Sequence, residues 1–268
     1  KKYKFKEVYN LAAQSFVATS FSSPLNTSNV TGLGVLRILE AIRTFSPKSK
    51  FFQASSSEMY GKTFQKKQDE KSKFNPQSPY AIYKLYGHYM TQNYRKSYKL
   101  FAVSGIAFNH ESPLRGEEFV TRKITKGLVS ILKGDLKVLE LGNLYSKRDW
   151  GYAKEYAQAM WKILQLKKPE DFVLSTGKTY TIKDFIDECT KVLKLNVIWK
   201  GKNLDLKLID KKTGKVLIKI NKKYFRPAEV DYLRGNSNKA HKLLKWKAET
   251  NLSDLVKIML EDEFKYYN

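Results

Sequence analysis

A chain of 268 residues with 42% hydrophobic content can bury one large core or two smaller ones. Its formal charge of +24 raises nucleic-acid binding as a reading, yet all but eight of the 50 basic residues are lysines, spread along the chain without arginine–aromatic clusters or a reading motif. No apolar run has the length of a membrane span, one cysteine excludes an internal disulfide, and three dispersed histidines (His88, His110, His241) lack metal-ligand spacing. The expectation is a cytoplasmic globular protein whose lysine surface favours an anionic small-molecule substrate, with no nucleic acid, membrane or metal among its partners.

Taken in chain order, residues 7–15 read as a strand running into a small-residue turn, where backbone can approach a ligand closely. Residues 26–45 read as a helix with Val30, Leu33, Leu36, Leu39 and Ile42 near helical spacing, and with Gly32 and Gly34 as packing notches. The apolar run 51–54 predicts a buried parallel strand whose C-terminal end opens into Ser55-Ser56-Ser57-Glu58. Pro79 starts a helix over 80–98. Residues 100–108 form another buried strand, and 109–116 a polar loop. A helix over 119–133, a strand near 138–141 and a helix ending at Leu164 follow, and residues 172–174 return to the sheet. The remainder holds a helix at 181–195 that buries Cys189, a hairpin turning at 212–214 and two closing helices. Strands alternating with helices predict an α/β fold with a parallel, doubly wound sheet and right-handed crossovers.

The most informative constellation joins Ser56 and Glu58 at a strand end to Tyr80 and Lys84, four apart and therefore on one helix face. Together they put a hydroxyl, a carboxylate, a phenol and an ammonium where ligands of open α/β sheets bind. Each has a blander reading. Tyr-x-x-x-Lys arises by chance in a chain with 17 tyrosines, Glu58 suits a helix N-terminus, and Ser56 suits a cap. The combination favours chemistry, with the Lys84 ammonium lowering the phenol's pKa by proximity.

Longer strings then carry a resemblance: Tyr9-Asn10-Leu11-Ala12-Ala13-Gln14-Ser15, Ser57-Glu58-Met59-Tyr60-Gly61, Phe108-Asn109-His110-Glu111-Ser112-Pro113, Phe119-Val120-Thr121-Arg122-Lys123-Ile124, Arg148-Asp149-Trp150-Gly151 and Tyr224-Phe225-Arg226-Pro227. Over nearly its whole length the chain resembles the GDP-mannose 4,6-dehydratases of the extended short-chain dehydrogenase/reductase family. The resemblance implies a Rossmann-like doubly wound sheet with a smaller interleaved α/β substrate lobe. Residues 1–112 and 150–177 would form the NADP-binding part, and 113–149 and 178–268 the GDP-sugar lobe.

The resemblance further implies a redox-neutral elimination giving GDP-4-keto-6-deoxymannose. Tyr80, activated by Lys84, would deprotonate the mannose C4 hydroxyl while NADP takes the hydride; Glu58 would act at C5 and C6, and Ser56 stands where the family usually has threonine. Leu11, Ala12, Ala13, Gln14, Ser15, Tyr80, Lys84, His110 and Arg115 match NADP positions. Asn109, Lys123, Arg148, Arg226 and Glu229 match positions for GDP-mannose, and relatives form homo-dimers or homo-tetramers. Departures are Phe16 for a histidine, Asn26 for a tyrosine and Leu114 for an arginine. The chain begins where the family's fourth strand begins, so the fold is expected to be N-terminally truncated, without the Gly-rich turn that cradles the cofactor pyrophosphate. That motivates an alternative, a catalytically impaired remnant that binds a GDP-sugar or a protein partner without productive NADP binding.

Overall fold

Parallel strands buried on both faces need helices above and below them, and that demand organises the larger part of this chain. The computed structural model describes residues 5–63, 65–225 and 228–265. In chain order the strands are β1 (Glu7–Asn10), β2 (Lys50–Ser56), β3 (Ala102–Ala107), β4 (Asn109–Glu111), β5 (Leu139–Leu141), β6 (Lys147–Arg148), β7 (Trp150–Tyr152), β8 (Phe172–Leu174), β9 (Tyr180–Thr181), β10 (Val197–Lys200), β11 (Lys207–Asp210) and β12 (Val216–Ile220). The α-helices are α1 (Val17–Ser22), α2 (Pro24–Thr27), α3 (Gly34–Phe45), α4 (Pro79–Ser97), α5 (Val120–Lys133), α6 (Ala153–Leu164), α7 (Ile182–Val192), α8 (Asn238–Leu244) and α9 (Leu252–Lys265).

The main sheet has the order β1-β2-β3-β8, all parallel, with Tyr9 opposite Phe52, Phe52 opposite Val103 and Gly105 opposite Phe172. Side chains alternate across it. Phe52, Val103 and Leu174 pack with Tyr156, Ala159 and Ile163 of α6, while Phe51 and Ala102 pack with Val35, Leu39 and Ile42 of α3 and Tyr94 of α4. Each such fully buried large side chain contributes about 1.5–3 kcal/mol. The smaller lobe is a second sheet of order β10-β11-β12-β5, antiparallel except for the β12–β5 pair. Ile124 and Leu128 of α5, Phe185 and Ile186 of α7 and Val256 and Met259 of α9 bury its inner face. Cys189 is fully buried there, and burial pushes its thiol well up. The β11–β12 hairpin turns where expected, with Asp210 accepting from the Thr213 amide at 2.7 Å and Gly214 at φ +71°.

The structure differs from the sequence reading in four places. The helix expected from residue 26 begins at Val17 and restarts at Pro24, and residues Ser28–Leu33 form a π-helical stretch before α3. A Cβ on Gly32 would come within 3.1 Å of Tyr83, so Gly32 is a notch for α4, whereas one on Gly34 would meet only Asn29 O at 3.8 Å in the preceding turn. Second, the polar loop expected over 109–116 opens as β4, paired in parallel with β7, Asn109 opposite Trp150. Third, β6, β9 and β10 add strands where none was expected, β6 pairing antiparallel with β9. Such short strands carry too little alternation to read. Fourth, α8 and the segment behind it leave the smaller lobe: Ala240, Leu244, Trp246 and Ala248 pack against Tyr156 and the main sheet. Their apolar stripe covers α6, so the chain crosses back once more than the boundaries at 177 and 178 allow. No helix among the described residues is long and apolar enough to cross a membrane.

Candidate active site

The C-terminal end of β2 delivers Ser55 and Ser56 and then turns into a short 3₁₀ helix, Ser57–Tyr60. Ser56 Oγ accepts from the Glu58 amide at 3.2 Å, so Ser56 is indeed a cap and Glu58 does sit in a helical first turn. Those structural roles hold the Glu58 backbone in place. On the facing element, Ser78 Oγ accepts from the Ala81 amide at 3.1 Å and Pro79 opens the first turn of α4. Tyr80 and Lys84 then project together from one buried face. Lys84 Nζ donates to Ala54 O at 2.8 Å, and the Tyr80 phenol is hydrogen-bonded to Ser56. Two elements thereby converge on one point.

That point lies in a cavity of about 1000 Å³. Of the sequence-derived residues, Ser56, Glu58, Tyr80, Lys84, Leu11, Ala13, Ser15, Asn109, His110, Arg115, Lys123, Arg148 and Glu229 all line it. Ala12 and Gln14 do not. The Gln14 amide group is held in the chain, donating to Phe16 O at 3.0 Å and accepting from Thr27 Oγ1 at 3.3 Å, and the Ala12 amide turns back to Asn10 Oδ1 at 3.3 Å. Gln14 thus shapes the approach to α1 instead of facing the cavity. Arg226 lies outside the described residues.

Burial dominates the electrostatics. It pushes the Tyr80 phenol up to about 12, opposed by the Ser56 hydrogen bond and reinforced by the Glu58 charge. The expected lowering of this phenol by Lys84 is not found: the ammonium is committed to Ala54 O, 5.8 Å from the Tyr80 ring centre, and burial draws Lys84 itself down to about 8. His110 is lowered by burial, its Nδ1 donates to Phe108 O at 2.8 Å, and its ring stacks on Tyr156 at 4.9 Å. Arg115 reaches Glu111 at 3.2 Å and lies 3.6 Å over the Phe119 ring. Phe119 meets Phe16 edge-on at 5.6 Å, so the residue that departs from the family histidine extends an apolar wall. Deeper in the second lobe, Lys123 stacks 3.7 Å over Tyr224, and Arg148 pairs with Glu229 at 3.1 Å. Partial burial lowers the Lys123 pKa.

Sequence reasoning left several cavity residues without a role. Phe119 and Tyr224 stood inside strings already singled out, and their aromatic character was the available signal; Lys223 had none beyond its neighbours. Among the described residues no group of three or more His, Cys, Asp or Glu side chains could hold a metal ion.

A family model described as GDP-mannose 4,6 dehydratase matches residues 1–259. The chain belongs to that family. It is 47% identical over 262 residues to the GDP-mannose 4,6 dehydratase of Dictyostelium discoideum, which covers 97% of this chain and 74% of the relative. The corresponding figures for the Homo sapiens GDP-mannose 4,6 dehydratase are 45% over 256 residues, 95% and 69%. Among solved structures, RMD from Pseudomonas aeruginosa complexed with NADPH superposes with a TM-score of 0.82 at 19% identity, over 97% of this chain and 82% of that one. The dTDP-glucose 4,6-dehydratase of Bacillus anthracis in complex with NAD gives 0.76 at 19%, over 97% and 73%. At that distance the superpositions show the shared Rossmann-like fold, within which the GDP-mannose 4,6-dehydratase family places this chain by its own sequence.

Proposed function

We propose that this chain converts GDP-mannose to GDP-4-keto-6-deoxymannose by redox-neutral elimination of water. The observation that carries the reading is the convergence of Ser56, Glu58, Tyr80 and Lys84 on one cavity in a chain of this family. Tyr80, acting as the phenolate, takes the proton of the mannose C4 hydroxyl, and the Ser56 hydrogen bond favours that ionised form. A C4 ketone acidifies C5, so Glu58 removes the C5 proton and delivers it to the departing C6 hydroxyl. Lys84 holds a positive charge beside this set.

The donor set fits a dinucleotide such as NADP: Tyr80, Lys84 and Arg115 suit ribose hydroxyls and phosphates, and Leu11, Ala13, Ser15 and His110 wall the same space. When bound, NADP supplies the acceptor for the C4 hydride and its donor back to C6. Asn109, Lys123, Arg148 and Glu229 are proposed to hold the GDP-sugar, with the cations toward its diphosphate. Residues 1–112 and 150–177 would supply the cofactor lobe, and 113–149 with most of 178–268 the GDP-sugar lobe, in a cytoplasmic homo-dimer or homo-tetramer. The impaired remnant is not favoured, because relatives 45–47% identical over 95–97% of this chain are GDP-mannose 4,6 dehydratases.

Incubation with GDP-mannose and NADP, followed by mass spectrometry in deuterated water, tests the reading. The expected product has lost water and carries solvent deuterium at C5. A folded chain that binds both molecules and releases no ketosugar would refute it.

A pH profile tests the lysine. Burial disfavours the ammonium, which places Lys84 at about 8 against an ordinary 10.5, so its charge disappears as pH rises through that value. The expected result is an alkaline fall in kcat/KM near pH 8, which Lys84→Arg removes because a guanidinium stays charged.

A further inference from the structure

Beyond the cavity, farther along the face of α4 that carries Tyr80 and Lys84, lies a chain of buried and half-buried polar groups that the dehydration steps do not use. Asp171, just before β8, is held by Arg95 through two hydrogen bonds of 2.8 and 2.7 Å and accepts from the Ser104 amide at 2.8 Å. Gln92 Nε2 lies 2.9 Å from Asp171 Oδ2 and 3.0 Å from His88 Nε2, and His88 Nδ1 lies 3.2 Å from Ser55 Oγ. His88 is 1% exposed, and Phe74 packs edge-on against its ring at 5.4 Å.

The donor directions follow from the anion. A carboxylate only accepts, so the Gln92 amide nitrogen must face Asp171, and its second hydrogen points at His88 Nε2. Nε2 therefore accepts, the imidazole is neutral, and its proton sits on Nδ1, donating to Ser55. Ser55 is flanked by two residues of the site: Ala54 O receives Lys84, and Ser56 binds the Tyr80 phenol and caps the Glu58 amide. We propose that His88 is a positioning residue, which pins Ser55 and thereby sets the Ser56–Glu58 turn of β2 against the Tyr80–Lys84 face of α4. The geometry of the acid–base set is thus fixed from beyond the cavity, from an Arg95–Asp171 anchor. The kinetic part of this inference rests on the dehydratase reading; the structural part does not.

Long-range ¹⁵N NMR of the ¹⁵N-histidine-labelled chain reads the tautomer, with the Nδ1–H form expected and an Nε2–H form overturning the proposal. In turnover of GDP-mannose, His88→Leu is expected to lower kcat about tenfold with KM nearly unchanged, and His88→Asn, which keeps a donor near Nδ1, to recover most of it. In a Ser55→Ala background His88→Leu should cost less than about twofold more, since the same contact is already gone. Unchanged kcat in His88→Leu, or effects that multiply in the double variant, overturn the proposal. Should His88→Leu fail to fold, Ser55→Ala alone decides, with the same loss of kcat expected and an unaltered kcat overturning it. A wild-type chain without turnover counts against the dehydratase reading only. Hydrogen exchange of the Glu58 amide then decides the His88 inference: faster exchange in His88→Leu or Ser55→Ala, but not in His88→Asn, upholds it, and unchanged exchange in both His88→Leu and Ser55→Ala overturns it.

Discussion

Replacing Glu58 by glutamine is expected to lower the rate of product formation by about 10² to 10⁴-fold while leaving oxidation at C4 intact. The Glu58 amide, not its carboxylate, makes the capping contact with Ser56, so the isosteric change leaves the 3₁₀ turn undisturbed. Without a carboxylate to take the C5 proton, the reaction should halt after the hydride has left C4. In a single-turnover experiment the absorbance of reduced nicotinamide should therefore rise and persist, with no deuterium entering C5. Tyr80→Phe is expected to stop one step earlier: no absorbance change and no product, because the C4 hydroxyl has lost its proton acceptor. Rapid dehydration by Glu58→Gln would remove Glu58 from the proposed role, and nicotinamide reduction by Tyr80→Phe would do the same for Tyr80. The phenol's position near 12 in the free chain makes the second substitution the more informative. A phenol that stays protonated to so high a pH must be helped to ionise by what binds around it.

Asp149→Ala is expected to cost roughly 3 kcal/mol of folding stability, with the midpoint of urea unfolding falling and the m-value unchanged. One carboxylate oxygen accepts from the Thr176 amide at 2.9 Å and the Thr176 hydroxyl at 2.6 Å; the other accepts from the amides of Gly177 at 2.9 Å and Gly235 at 3.2 Å. Asp149 is 0% exposed, and burial lifts its carboxyl to about 6 against the pull of those donors, which still leaves it ionised at neutral pH. Removing the acceptor strands several inward-facing N–H groups at once. A loss under about 1 kcal/mol would mean that water replaces the carboxylate at little cost.

The sheet and the meeting of Ser56, Glu58, Tyr80 and Lys84 in one cavity were legible because each had a local signature: apolar runs for β2, β3 and β8, and the four-residue spacing of Tyr80 and Lys84 behind Pro79. What escaped depended on distant partners. Pairing of β4 with β7 joins two three-residue segments, neither long enough to show alternation. The π-helical stretch at Ser28–Leu33 follows from packing against α4, which no periodicity within residues 26–45 announces. Proximity in sequence also misled. Lys84 stands one turn from Tyr80, yet the Ala54 carbonyl near the end of β2, which also accepts from Gln53 Nε2 at 3.1 Å, captures its ammonium. Gln14, inside a string that resembles a cofactor-binding motif, spends its side chain on Phe16 and Thr27.

Because the α6–β8 segment and later α8 return to the main sheet between stretches that build the smaller lobe, neither lobe corresponds to one continuous length of polypeptide. A gene cut anywhere between β5 and α8 would divide both. The cleft that holds Tyr80 on one wall and Arg148 on the other is accordingly spanned by several covalent crossings, so its width is restrained by the backbone itself. Grafting either lobe onto another scaffold would require carrying pieces of both.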